Sequence, residues 1–401
     1  MTGSRHDTAP EEGNRDSMVS LRTVANIGDL RTRARNRLPR HLFDFIDGAA
    51  FREVTRDDNL AELAKLRFRQ RTLRDVSRVT LATTLLGQNA TMPLAIAPTG
   101  ISGILAGGGC GEMLAAKASA AAGIPFTLGM MALSSIEDVC AVAPPPFFQM
   151  CMMRDRELVA AMVKRADAAG CPALVLTTTW PFYSQHDRLT NNPAWSMPPR
   201  IVSRALLEYA ARPAWSLSTL FGRGVRFRNF DAHRAAPWDI VEIVGQLDAS
   251  TTWDDVAWLR DLWPRKLVLK GINEPEDAER AVSVGADGLV VSNHGGNQLD
   301  ECSATILMLP AVVKAVGTRI EVLMDGGIRS GQDILKAVAL GARGCLIGRA
   351  HLYGLGAAGE AGVVKALDVI RNQLQITTGL VGLADVKDAS PAILYNPPQV
   401  G

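Results

Sequence analysis

The chain has 401 residues, with 43 Lys and Arg against 41 Asp and Glu and a formal net charge of +2, so no global field is present to recruit nucleic acid. At 47% hydrophobic and 21% charged residues, the composition supports a sizeable globular core and excludes a largely disordered chain. The six cysteines form no C-x-x-C pair and show no zinc-type spacing to histidine, which predicts a reducing, cytoplasmic setting and no metal site.

Residues 1–20 mix both charge signs without an apolar block, so a tail is expected there and no signal peptide. Residues 21–91 are expected to form an N-terminal helical cap, in which Leu38 to Ala50 has helical apolar spacing. Val79 to Gly111 carries no charge, but Pro93, Pro98 and several glycines interrupt it; buried soluble structure is expected rather than a membrane span. From residue 92 onward eight short apolar runs recur: LAIAP, PFTLGM, PFFQM, ALVLTT, KLVLKG, GLVVSN, EVLMDG and GCLIGR. They read as buried parallel strands. Amphipathic segments such as Asp155 to Ala169, Glu274 to Val284 and Gly331 to Leu340 separate them and end at Gly170, Gly285 and Gly341. Eight β/α units predict a (β/α)8 barrel over 92–401.

One connection breaks the rhythm, because the fourth and fifth runs start 93 residues apart, at Ala173 and Lys266. The insertion, 191–248, is rich in Pro, Trp and Arg, including Trp195, Pro198, Pro199, Trp215, Arg223, Arg226 and Arg228. It leaves the C-terminal end of a strand, so a lid over the site is expected, with peripheral membrane contact as the alternative use of aromatics beside arginines.

Barrel enzymes carry their chemistry at strand C-termini, which selects Thr99, Gln149, Thr177, Lys270, Ser292, His294, Asp325 and Arg349. A buried Lys270 needs an anionic partner, for which a bound anion is expected. Asp325-Gly326-Gly327-Ile328-Arg329 and Gly348-Arg349 follow the last two strands, where glycine N–H groups and arginine forks suit a phosphate. A phosphorylated cofactor follows from that. His294, flanked by glycines, is placed to act as a general base.

Ile96 to Gly100 (IAPTG), FFQ, TWDDVAWL, LKG, SNHGGNQLD, DGGIRSGQD and IGRA together resemble the FMN-dependent α-hydroxy-acid oxidase and dehydrogenase family, over about Leu38 to Leu383. The resemblance implies FMN as cofactor, with Pro98, Thr99, Gly100, Gln149 and Thr177 along the flavin ring. It implies that Lys270 stabilises the reduced ring and that Ser292 contacts the cofactor. Asp325, Gly327, Arg329, Gly348 and Arg349 would hold the phosphate, and His294 would be the catalytic base. A homo-oligomer is expected, with O2, a quinone or a redox protein as electron acceptor.

The chain departs from that pattern around the substrate. Asn297 stands where the family has a carboxylate-binding arginine, Phe45 and Cys151 replace two tyrosines, Thr179 replaces an aspartate, and His186 replaces an arginine, with Arg188 nearby. Asp187 offers a substitute carboxylate for the histidine. Losing one partner of a buried charge pair costs about 2 to 5 kcal/mol, which predicts weak binding of simple free hydroxy acids. The combination of SNHGGN with Leu176 to Phe182 and Arg212 to Trp215 most resembles the premycofactocin synthase branch. A neutral α-hydroxy or α-amino carbonyl substrate is therefore the first expectation. A conventional 2-hydroxy-acid enzyme of the lactate, glycolate or mandelate type is the alternative, and a non-catalytic flavin-binding protein the third reading.

Overall fold

The computed structural model describes residues 21–192, 203–231 and 237–398. The predicted tail and Trp195, Pro198 and Pro199 lie outside those residues. Eight parallel strands are β1 (Leu94–Ile96), β2 (Thr127–Gly129), β3 (Phe147–Met150), β4 (Ala173–Thr177), β5 (Lys266–Lys270), β6 (Gly288–Val291), β7 (Glu321–Met324) and β8 (Gly344–Ile347). They pair in the order β1-β8-β7-β6-β5-β4-β3-β2, and a parallel bridge between Ile96 and Phe126 closes the ring. This is the predicted (β/α)8 barrel. Each apolar run contributed one strand, shortened where its last residues turn into the loop.

Side chains alternate across a strand, so one inward residue fixes the next. Ala95, Phe147, Val175, Val268, Val290, Leu323 and Leu346 form a single apolar cluster inside the barrel. Two residues on, the same faces present Ala97, Gln149, Thr177, Lys270, Ser292, Asp325 and Gly348. A polar layer therefore sits directly on the apolar one, at the C-terminal mouth.

The opposite mouth corrects the expected cap. After helical Leu21 and Arg22, residues 21–91 hold the helices α1 (Ile27–Arg37), α2 (Arg40–Asp47) and α3 (Val54–Lys65). After them, Arg67–Phe68 pairs with Leu394–Tyr395, and Thr83–Leu85 pairs with Gln88–Ala90 as a hairpin. Leu86 and Gly87 take φ of 51° and 80°, the left-handed pair that a two-residue hairpin turn requires. Leu85, Leu86 and Ala90 join the barrel's apolar cluster and plug its base. A Cβ on Gly288 would lie 2.6 Å from Leu86 Cδ2, and one on Gly344 would lie 2.7 Å from Leu85 Cδ2. Glycine at the start of β6 and β8 makes room for the plug.

The described parts of the insertion are built on helices, among them α4 (Ser203–Ala210), α5 (Pro213–Leu220) and α6 (Ile240–Gly245). Trp215 Nε1 donates to Ile104 O at 2.9 Å, and Asn229 Oδ1 accepts from Ile136 N at 3.0 Å, which ties it to the barrel rim. The last barrel helix, α7 (Arg349–Leu380), breaks at Ala358 and Gly359 and packs on α1. Among the described residues no helix is long and apolar enough to cross a membrane.

Leu85 is fully buried in the plug. Leu85→Ala should destabilise the fold by about 2 to 5 kcal/mol, read from denaturant unfolding with an unchanged m-value.

Candidate active site

One cleft at the C-terminal mouth gathers most of the predicted residues. Phe45, Pro98, Thr99, Gly100, Gln149, Thr177, His186, Lys270, His294, Asn297, Asp325, Gly327, Arg329, Gly348 and Arg349 all line it. Ile240 and Val244 of α6, from the insertion, line it too.

Lys270 is the most constrained of these groups. Its side chain is buried, and Nζ lies 2.9 Å from Asp325 Oδ2 and 2.8 Å from Ser292 Oγ. The expected anionic partner is therefore a carboxylate of the protein itself, a correction to the anticipated bound anion. Ser292 is corrected as well: it does not line the cleft, and its hydroxyl oxygen accepts from Lys270 and from the His294 backbone N–H at 3.1 Å. Asn273 braces Ser292 on both backbone groups, a role that sequence reading missed.

His294 sits at φ 56°, followed by Gly295 at 64° and Gly296 at 79°. Three left-handed residues in a row turn the loop out of β6 and present the imidazole to the cleft. The cap holds that turn. Ala50 N–H donates to Gly296 O at 2.8 Å, and Asn59 and Asn293 exchange two amide hydrogen bonds of 2.9 Å. His294 Nδ1 lies 3.2 Å from Thr179 Oγ1, which leaves Nε2 for a substrate. Burial, then the charges of Lys270 and Arg349, hold the imidazole well below its ordinary pKa. The neutral imidazole, the form that can accept a proton, is thereby favoured. Asp187 does not reach it; its carboxylate accepts from Gln185 Nε2 at 2.7 Å.

The substrate end differs from expectation at three residues. Asn297 lines the cleft, but its Nδ2 donates to His294 O at 2.8 Å and its Oδ1 accepts from Arg349 Nη2 at 3.2 Å. Both amide groups are thereby engaged in holding the histidine loop. Cys151 does not line this cleft. It faces a neighbouring cavity and accepts from Gln149 Nε2, and burial pushes its thiol up to about 12. Arg188 is neutralised by Asp47, at 2.7 Å, and by Glu53, so it is not a free substrate anchor. Trp180, which sequence reading quoted only within a motif, lines the cleft, with its Nε1 buried and without a partner among the described residues. His351 stands behind Thr99, with Nε2 3.5 Å from Thr99 Oγ1. Nothing in strand periodicity marks either residue, since both lie beyond a strand end.

The groups at the other end fit a flavin mononucleotide. Arg349 is buried, its Nη1 and Nη2 donate to Gly295 O and Gly48 O, and its Nε has no partner among the described residues. That free N–H, the open space around Gly348 and the left-handed Gly327 suit a phosphate. Arg329 lies beside it over the Tyr353 ring. Asp325 Oδ1 is also buried without a partner among the described residues. A carboxylate oxygen only accepts hydrogen bonds, so it suits a ribityl hydroxyl and not the phosphate to which it was first assigned.

Comparison with known proteins agrees with this arrangement. Residues 34–396 match the model of the family described as FMN-dependent dehydrogenase. An L-lactate dehydrogenase of Caulobacter vibrioides is 42% identical over 377 residues, covering 92% of this chain and 97% of that protein. One from Pectobacterium atrosepticum is 40% identical over 366 residues, covering 90% and 94%. The crystal structure of the monotopic membrane protein (S)-mandelate dehydrogenase superposes with a TM-score of 0.89 at 36% identity, covering 93% of this chain and all of that one. An arginine-to-leucine variant of mandelate oxidase, solved with 2-hydroxy-phenylacetamide, gives a TM-score of 0.78 at 34% identity, with coverage of 94% and 100%. The fold and cleft define a flavin-dependent barrel oxidoreductase. The chain belongs to the FMN-dependent dehydrogenase family, and its cofactor is FMN.

Two outcomes test the site. Arg349→Ala should weaken FMN binding by about 1.5 to 3 kcal/mol, measured by fluorescence titration of the apoprotein. Thr179→Asp would set a carboxylate against Nδ1 and favour imidazolium, so the acid limb of flavin reduction should move to higher pH. An unmoved limb would remove His294 from the rate-limiting protonation.

Proposed function

We propose that this protein oxidises an α-hydroxy acid of the lactate or mandelate type to the keto acid, with His294 as base. The observation that carries the reading is a histidine base set in the cleft beside Lys270: His294 Nδ1 is held by Thr179, which leaves Nε2 for the substrate hydroxyl. Lys270 is already paired with Asp325 and Arg349 is the group suited to the FMN phosphate, so the choice of acid over amide leans on the relatives. The lactate and mandelate names of the relatives support the same choice and give the premycofactocin branch no support. The expectation of a neutral substrate rested on Asn297, Phe45 and Cys151 together; Cys151 faces another cavity, and the Asn297 amide already donates to His294 O and accepts from Arg349.

When bound, FMN supplies the two-electron acceptor for the Cα–H bond. His294 Nε2 takes the hydroxyl proton while Thr179 fixes the ring through Nδ1. Lys270, anchored by Asp325 and Ser292, holds positive charge at the polar layer, where negative charge develops. Trp180 Nε1 is the unpaired donor available to the substrate. Phe45, Ile240 and Val244 exclude water from the same end.

We also propose peripheral membrane contact through the insertion. Leu207, Leu220 and Phe221 are 75%, 74% and 82% exposed, close to Arg212 and Arg223, and one solved relative is a monotopic membrane protein.

Anaerobic flavin bleaching tests the substrate reading. L-lactate or (S)-mandelate should reduce the flavin faster than the corresponding amide, and the reverse order would restore the neutral-substrate reading. His294→Ala should keep its FMN and lose bleaching by either.

A further inference from the structure

A second cleft, of about 320 Å³, lies away from the active site between α1, α2 and the start of the insertion. Five arginines and two aspartates line it. The carboxylates do not balance the guanidinium groups. Asp47 is taken up by Arg31, by Arg188 and by Tyr353 Oη at 2.8 Å. Asp44 accepts from Asn192 Nδ2 at 2.9 Å and stands 3.5 Å from Arg40. Arg35 makes no side-chain hydrogen bond or ion pair among the described residues, and Arg212 donates only to the carbonyls of Leu38 and Ala211. Glu208, the other acid nearby, accepts from the Arg40 backbone N–H at 2.9 Å and lies 3.9 Å from His41 Nδ1.

Three guanidinium groups therefore converge with one weakly held carboxylate among them. Such a set suits a tetrahedral oxyanion, because planar forks pair with phosphate oxygens two at a time. The position of the cleft says where that anion comes from. Glu208 belongs to α4, which exposes Leu206 and Leu207, and Arg212 joins α4 to α5, which exposes Leu217 and Leu220. The arginines thus open beside the apolar face of the insertion, the arrangement in which a lipid places its phosphate above its acyl chains. We propose that this cleft binds the phosphate of an anionic lipid headgroup and orients the protein on the bilayer. The proposal rests on the peripheral membrane contact argued above and adds a defined headgroup site to it.

The test uses the FMN-loaded protein with phosphatidylcholine vesicles, with and without phosphatidic acid, read by cosedimentation. The parent should bind the phosphatidic acid vesicles more tightly than the neutral ones. Replacing Arg35, Arg40 and Arg212 together by glutamine should weaken that binding at least about tenfold more than replacing Arg223, Arg226 and Arg228, a control that removes the same charge from the insertion outside the cleft. FMN content and turnover in detergent should be unchanged in both triples, which shows that both fold. Equal loss in the two triples overturns the site and leaves only a diffuse positive field. Binding of neutral and anionic vesicles alike by the parent overturns the headgroup site and leaves membrane contact standing, whereas binding to neither overturns both. If inorganic phosphate binds the parent and not the cleft triple while vesicles do not discriminate, the anion is soluble and the lipid assignment falls.

Discussion

A lysine ammonium buried at the end of β5 governs how the rest of the mouth is arranged. Removing one member of such a buried pair costs about 3 to 5 kcal/mol, so Lys270 must have Asp325, which reaches it from β7, two strands away. Ser292 on β6, the strand between them, accepts from the lysine and from the His294 backbone N–H. One ionic contact therefore joins three neighbouring strands and sets where the histidine loop begins. Burial first, and then the same charge, lower the pKa of the imidazole, so the contact that positions the base also favours its neutral form.

Much of this was legible in the sequence because strand alternation is strict. Once Val268 is inward, Lys270 is inward, and the same step places Thr177, Gln149 and Asp325. The hairpin at the base was not legible: its strands are three residues each, too short for a period, and only Gly87 hints at the turn. Partnerships were harder still. Sequence shows that Asn297, Arg188 and Cys151 lie near His294, but not that Asn297 spends both amide groups on the loop, that two carboxylates neutralise Arg188, or that Cys151 turns to another cavity. A substitution in a family pattern reports a changed contact only when the side chain's other contacts are known.

The cap does more than cover the barrel. α2 supplies the Gly48 carbonyl region that receives Arg349, and α3 supplies Asn59, whose amide pair with Asn293 locks the histidine loop. Arg188, at the start of the insertion, binds Asp47 and Glu53 of the cap. Cap, insertion and catalytic loop are coupled through these buried polar contacts, so an event at the outer face of the insertion has a path of direct contacts to the cleft.

The central claim is that burial, helped by the charges of Lys270 and Arg349, keeps the imidazole of His294 neutral in a site with Thr179 and not a carboxylate at Nδ1. Nitrogen-15 NMR of histidine-labelled, FMN-loaded protein, with His294 assigned by its loss in His294→Ala, tests it most directly. The account predicts that His294 stays neutral as the pH is lowered through 6.5, while an exposed histidine would gain its proton, and that Lys270→Gln raises its pKa. A His294 that titrates at or above the ordinary histidine value in the parent protein would contradict it.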